Sequence, residues 1–232
     1  MADYDLYYWP VPFRGQFIRA ILAYTGKAWI EHDSGEIGDI MGKAPADQPV
    51  PFMGPPVLID TASGFAIAEM PAIALYLGEA LNLLPASPEG RALSLKMVND
   101  ANDVIDEITL DGGREMWTDE KWEEFVPRLK RWMEIWEATG ITHGLEKQHG
   151  TMLGTEAPGV ADIVTAVLWS TMADRFGKIA ALLDDTAPRV AALVNRMQAI
   201  SALTKLAADS RRDYGDAYCG GEIEKSLRKV AL

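Results

Sequence analysis

One cysteine in 232 residues, Cys219, leaves no partner for an intrachain disulfide and no set of thiolates for a zinc cluster. Histidine is nearly as scarce, and His32, His143 and His149 stand at no spacing that would ligate a metal. No apolar run approaches the ~18 residues of a membrane-spanning helix. The opening residues Met1-Ala2-Asp3-Tyr4-Asp5 carry neither the basic nor the apolar region of a secretory signal. Positive charge is also in short supply: the formal net charge is -12, which argues against a nucleic-acid surface and against docking on anionic membranes. A small anionic ligand is still admissible, because a few nearby positive groups outweigh a screened distant field. There is no internal repeat and no low-complexity tract. The 48% apolar and 24% charged content is that of an ordinary globular chain. These properties lead to the expectation of a soluble, acidic, cytoplasmic protein with no metal, built as one large domain or two small ones.

What is present falls into two halves. Leu6-Tyr7-Tyr8-Trp9 is a short β-prone run closed by Pro10 and Pro12. Beyond Gly15, the apolar residues Phe17, Ile18, Ile21 and Leu22 share a helical face, and Gly26 is a natural stop. Trp29-Ile30-Glu31-His32 reads as a second strand, and residues 33 to 54, rich in Gly, Pro and Asp, as an irregular excursion. Val57-Leu58-Ile59-Asp60 and Phe65-Ala66-Ile67-Ala68 form a hairpin pattern around Thr61-Ala62-Ser63-Gly64. A helix from about Pro71 to Ala80 ends this half.

Residues 81 to 87 read as a linker, after which the pattern is almost wholly helical. Ser87-Pro88-Glu89 supplies an N-cap, an N1 proline and an acidic first turn for a helix running toward Leu110. Trp122, Phe125, Leu129, Trp132, Met133 and Trp136 mark another helix, kinked or restarted at Pro127. Gly159-Val160-Ala161-Asp162 opens a further one, and Pro188 and Ser201 open two more. The tail from Tyr214 onward carries no clear assignment.

Two segments stand out. Gly54-Pro55-Pro56-Val57-Leu58-Ile59-Asp60 is a double proline entering a short apolar strand, and Glu69-Met70-Pro71-Ala72-Ile73-Ala74-Leu75-Tyr76-Leu77 is a helix opening on a proline. Together they can present backbone hydrogen-bonding groups to a peptide-like ligand beside the positive end of a helix. Pro71 is suited to position N1, which makes Met70 the expected N-cap. Methionine has no capping acceptor, so a ligand carboxylate can take that place.

The α/β half, the linker and the all-helical half, with these two segments in the first, resemble cytosolic glutathione S-transferases over most of the chain. Tyr8-Trp9-Pro10-Val11 followed by Arg14-Gly15 resembles the first strand of the tyrosine-type pi, mu and sigma classes, and Met97-Val98-Asn99-Asp100 resembles a pi-class stretch; the whole is that of a bacterial-style member. The resemblance implies a thioredoxin-like α/β domain over 1–80, with βαβ-ββα order and a mixed sheet, and an all-α domain over 88–232, usually in a homodimer. It implies glutathione as co-substrate on the first domain and a small hydrophobic electrophile between the two. A thioredoxin-type oxidoreductase would carry Cys-x-x-Cys after the first strand, and there is none.

The chemistry so implied is attack of the glutathione sulfur on an electrophile. A thiol of pKa ~8.5 is only about 3% thiolate at pH 7. Lowering that value by ~2 units requires ~2.7 kcal/mol of selective stabilisation of the anion. By resemblance Tyr8 supplies it, its phenol donating a hydrogen bond while staying protonated. Tyr7 and Tyr8 point to opposite faces of a strand, so Tyr7 is the alternative donor. The resemblance makes Arg14 a support for the sulfur or for a ligand carboxylate, Trp9 an aromatic border, and Pro56 a cis-proline. It assigns the γ-glutamyl ammonium to Glu69 and makes Asp103 a residue reaching the partner subunit's ligand. Asp162 corresponds to the family's buried helix-capping aspartate. Two positions depart from the pattern. Pro55 has no N–H, so only its carbonyl can bond the ligand, and Met70 stands where the family has Ser or Thr, leaving only its backbone. Those departures keep a non-catalytic binding protein open, alongside a glutathione-dependent isomerase or peroxidase. The distance of Cys219 from the first strand disfavours a cysteine-type enzyme, and Tyr214 and Tyr218 are candidates to cover the apolar pocket.

Overall fold

The computed structural model describes residues 2–232. A four-stranded mixed sheet in the order β2-β1-β3-β4 is built from β1 (Tyr4–Tyr7), β2 (Trp29–His32), β3 (Val57–Asp60) and β4 (Ala66–Ala68). β1 runs parallel to β2 and antiparallel to β3, and β3 and β4 close the expected hairpin. The parallel β1–β2 step is made by α1 (Phe13–Tyr24), and α3 (Met70–Ala80) follows β4. All later elements are helices: α4 (Pro88–Ile108), α5 (Leu110–Gly113), α6 (Asp119–Thr142), α7 (Val160–Ala173), α8 (Gly177–Thr186), α9 (Pro188–Gln198), α10 (Ser201–Tyr214) and α11 (Gly221–Ala231). This is an α/β thioredoxin-like half with an all-α half. Both α6 and α4 satisfy their first turns with hydroxyls, Thr118 and Ser87, and α6 is continuous through Pro127.

Four departures from the sequence expectations have physical causes. β1 occupies residues 4–7 rather than 6–9. Its antiparallel register ends at Tyr7 opposite Val57, and the next residue on β3's side is Pro56, which has no N–H to extend the ladder. The excursion after β2 contains α2 (Ser34–Met41), because Asp33 and Glu36 form a reciprocal capping box and Ile37 and Ile40 turn inward. Met70 is not the N-cap of α3: the cap is Glu69, whose φ of 73° and ψ of 123° place it outside the helix, and Met70 is the first helical residue. Finally, α8 and α11 were not anticipated; α11 buries Ile223, Leu227 and Val230 on one face and so docks the tail.

α1 is buried almost all round, from Gly15 to Leu22, because α3 covers one side while α7 and α10 of the helical half cover another. α7, inward-facing along nearly its whole length, packs on α4, α8, α9 and α1 and forms the centre of the core. The N-terminal end of α1, just after β1, is therefore where the two halves meet.

Candidate active site

Tyr8 lies one residue beyond β1, is only 4% exposed, and sends its hydroxyl to the start of α1. The cap position of that helix is Pro12, which has no side-chain acceptor. The Tyr8 Oη takes the role instead, accepting the Arg14 N–H at 3.0 Å. The phenol is thus held by a donor at the positive end of a helix, and among the described residues no acceptor takes the phenol's own proton. Burial pushes the Tyr8 pKa up to about 12, against the downward pull of the Arg14 charge, the Arg14 and Gly15 N–H groups and the Arg19 charge. Tyr8 is neutral at physiological pH and has a hydrogen to donate. Close approach at this point requires Gly15: a Cβ there would lie 2.3 Å from Tyr8 Cδ1.

Tyr7, the alternative donor, faces the other way. Its ring stacks on His32 with centroids 3.9 Å apart and planes 5° from parallel. It stands away from the α1 terminus, and its phenol is not brought to the Tyr8 site.

The second part of the site is the Pro55–Pro56 turn, whose peptide bond is cis. The registers Tyr7 to Val57 and Val57 to Ala68 set Tyr8, Pro56 and Glu69 side by side at one end of the sheet. The Glu69 N–H donates to the Pro56 carbonyl at 3.3 Å, which ties the turn to the start of α3. The Pro55 carbonyl accepts no backbone N–H among the described residues. α3 has no side-chain cap and a proline in its first turn, so the N–H groups of Met70 and Ala72 are left pointing out of the helix end. The Met70 side chain itself is fully buried in the core and offers nothing polar. Glu69 is exposed and holds a left-handed backbone, a strain of the kind found where a residue must face a ligand. An acceptor, two donors and a carboxylate are thus set at one end of the sheet, in the row of strand-end positions that also carries Tyr8.

Of the remaining expected residues, Arg14 is already engaged across the junction. Its Nε donates to Asn102 Oδ1 at 3.2 Å and its Nη2 pairs with Asp106, both on α4. It lends positive charge to Tyr8 rather than a free guanidinium. Trp9 is half-exposed next to Tyr8, and its carbonyl accepts the Val11 N–H at 2.7 Å. Asp103 is exposed on α4 and is not brought to the other residues within this chain; its pKa is raised by burial and by the charges of Asp100, Asp106 and Glu107. Asp162 is buried and accepts the N–H groups of Gly159 at 2.9 Å and Met152 at 2.7 Å, which makes it a structural cap for α7.

The family model for the glutathione S-transferase C-terminal domain matches residues 93–230. The chain belongs to the glutathione S-transferase family. Among solved structures of similar fold, NaGST-2 is 23% identical, covering 90% of this chain and 97% of its own, with a TM-score of 0.71. Monomeric Na-GST-3, from the hookworm Necator americanus, is 20% identical over 89% of this chain and 96% of its own, with a TM-score of 0.71. The Pi-class glutathione S-transferase of Onchocerca volvulus is 16% identical over 94% and 98%, with a TM-score of 0.73. No curated protein matches the sequence significantly.

Two features of this glutathione S-transferase were not given by the sequence: the burial of Arg19, and the docking of the tail, whose Tyr218 was only a candidate to cover the apolar pocket. Arg19 is a cation only 2% exposed, paired with Glu31 at 2.7 and 3.0 Å, with its guanidinium carbon 5.7 Å from the Tyr8 ring centre. The signal was available: a lone arginine inside the apolar run Phe17 to Leu22 requires a buried partner. The tail is the other. The Phe13 N–H donates to the Tyr218 carbonyl at 3.2 Å, and the Tyr218 ring meets Phe13 and Phe176 edge-on. Glu224 Oε2 holds this turn by accepting the N–H groups of Tyr218, Cys219 and Gly220. Tyr218 closes an apolar seam with Phe13, Phe17, Ile105, Val167 and Leu168 that has no room for a water molecule. Cys219 is thereby brought close to α1 despite its distance in sequence. Burial, with the charge of Glu224, raises its pKa to about 12, so the thiol stays protonated at neutral pH.

Proposed function

We propose that this chain is a tyrosine-type glutathione transferase in which the Tyr8 hydroxyl donates to the glutathione sulfur anion. The observation that carries the reading is the Tyr8 phenol itself: neutral, fixed by the Arg14 N–H at the positive end of α1, with its own proton unclaimed by the described residues. A hydrogen bond that exists in full only to the anion lowers the thiol pKa, and the sulfur then attacks a small hydrophobic electrophile. A carbon–sulfur bond forms as the leaving group departs, or as the electrophile's double bond takes up a proton. The Pro55 carbonyl accepts the cysteinyl N–H of glutathione. The free N–H groups of Met70 and Ala72 receive its γ-glutamyl carboxylate, and Glu69 its ammonium. Trp9 borders the tripeptide, and the electrophile lies beside Tyr8 and the half-buried Phe13. In this reading residues 1–80 hold glutathione and 88–232 hold the electrophile. The chain works in the cytoplasm as a homodimer, and Asp103 reaches toward the partner's ligand.

The decisive experiment is conjugation of glutathione to 1-chloro-2,4-dinitrobenzene by the native chain and Tyr8→Phe. The variant is expected to fold normally and lose on the order of 10²-fold in rate; equal rates would contradict the assignment. Pro55, with no N–H, and the buried side chain of Met70 favour a second reading, a binding protein of this family without turnover. Loss of one ligand bond at Pro55 weakens affinity by only ~1 kcal/mol, which favours the catalytic reading. Absence of both retention on immobilised glutathione and conjugation would reverse that choice.

A further inference from the structure

In the proposed pose the γ-glutamyl end of glutathione is at the start of α3 and its cysteine at Pro55 and Tyr8; the sheet then sets the direction of the third residue. β2 is parallel to β1, with Tyr7 opposite His32, so β2 ends on the same side of the sheet as β1. The strand order β2-β1-β3-β4 makes a row of Asp33, Tyr8, Pro56 and Glu69, each one residue outside its strand. An extended peptide running from Glu69 to Tyr8 continues toward Asp33, where α2 begins. In glutathione that third residue is a glycine with a free carboxylate.

The β2 end is poorly suited to an anion. A helix N-terminus is a ready anion site, but that of α2 is already filled. Asp33 Oδ1 accepts the N–H groups of Gly35 at 2.8 Å and Glu36 at 2.9 Å, and Glu36 Oε2 accepts that of Asp33 at 3.0 Å. His32 is occupied as well, its ring nitrogens 3.0 Å from Glu36 Oε1 and 3.1 Å from Asp5 Oδ1. Asp5, Asp33, Glu36 and Asp39 thus set four carboxylates against one imidazole. Within residues 1–80, Arg14, Arg19 and Lys27 are each paired with a carboxylate. Lys43 is exposed and follows the far end of α2, about 12 Å along the helix from Asp33. Pro55 adds to this, since with no N–H it offers nothing to the cysteinyl carbonyl through which glycine is attached. On the pose proposed for glutathione, we infer that this chain accepts glutathione but prefers γ-glutamyl-cysteinyl thiols whose C-terminal end carries no negative charge. Asp33 and Glu36 are the residues that set this preference.

The test compares glutathione with its glycyl monoethyl ester in conjugation to 1-chloro-2,4-dinitrobenzene by the full chain at low ionic strength. The ester is expected to show a KM about threefold or more below that of glutathione at similar kcat, the effect of one like charge at ~6 Å in water. Physiological salt should narrow the gap. Asp33→Asn and Glu36→Gln, which retain a capping acceptor, should each lower the KM for glutathione by about threefold, leave that for the ester as it was and keep a cooperative melt. Lys43→Ala should change neither. An equal or higher KM for the ester, an unchanged ratio of the two KM values in Asp33→Asn and Glu36→Gln, or a glutathione KM raised by Lys43→Ala would each overturn the inference and leave the Tyr8 assignment intact. No turnover of either thiol would overturn that assignment, and the inference with it.

Discussion

Three backbone or side-chain groups hold the Tyr8 phenol in place, and each comes from a different part of α1. The Arg14 N–H fixes its oxygen, Gly15 makes room for its ring, and Arg19 places a charge near its face. Gly15→Ala therefore acts on Tyr8 without touching its chemistry. The added carbon meets Cδ1 at 2.3 Å and Arg19 Nη1 at 2.9 Å, so the ring must move. The expected result is a folded protein whose conjugation rate falls by on the order of 10²-fold, since a ~1 Å displacement of a catalytic group has that effect. Steady-state kinetics beside a thermal melt checks it; full activity would contradict the packing argument. Tyr8 was a candidate in the sequence through the family resemblance of the local stretch Tyr8-Trp9-Pro10-Val11. Arg19 escaped because its significance depends on Glu31 and Tyr214, residues brought together only by tertiary contact.

At the scale of elements, caps explain both what the sequence disclosed and what it hid. Asp162 was recognisable three residues after Gly159, and the buried carboxylate accepts two backbone N–H groups. Asp162→Ala leaves both donors unpaired in the core and is expected to cost about 2–5 kcal/mol, read as a lower denaturation midpoint in urea. α2 was hidden although its capping box was present, because Gly35 and Gly38 lower helix propensity below what local pattern reading accepts. The cap of α3 was misplaced by one residue, because a left-handed Glu69 cannot be inferred from residue type.

The corner joining β1, β2 and α2 also titrates. Partial burial lowers the His32 pKa, but its hydrogen bonds to Glu36 and Asp5 and their charges outweigh this and raise it above the usual ~6.5. A raised histidine pKa stabilises the fold fully below the unfolded value, and that contribution disappears as pH rises through the folded value. His32→Gln is thus expected to flatten the decline in melting temperature from mildly acidic to mildly alkaline pH. An unchanged pH profile would contradict this account.

Over the whole molecule, the site depends on the seam between the sheet half and the helical half. Arg14 crosses it to Asn102 and Asp106, and the tail is drawn back over the α1 terminus by Glu224. Burial raises the Glu224 pKa, but the N–H groups of Tyr218 and Gly220 and the pairing with Arg228 outweigh it and lower it overall. A depressed carboxylate pKa stabilises the docked tail above the unfolded value of ~4.3 and is lost as pH falls through the folded value. Glu224→Gln is expected to speed amide hydrogen exchange from Tyr218 to α11 at neutral pH, with α7 unaffected; uniform exchange changes would contradict local docking. The two-half organisation was legible from where strand patterns stop and helical ones begin. The docking of the tail was not, since it requires contacts more than two hundred residues apart. Native mass is expected at twice that of the chain, and a purely monomeric species would contradict the homodimer.

The central claim, that Tyr8 stabilises a bound thiolate, is tested most directly by the ultraviolet absorbance of the glutathione thiolate as a function of pH in its complex with the native chain and with Tyr8→Phe. The native complex is expected to titrate ~2 units below the free thiol value of ~8.5, and Tyr8→Phe to return it close to that value. Identical titrations in the two complexes would contradict the claim.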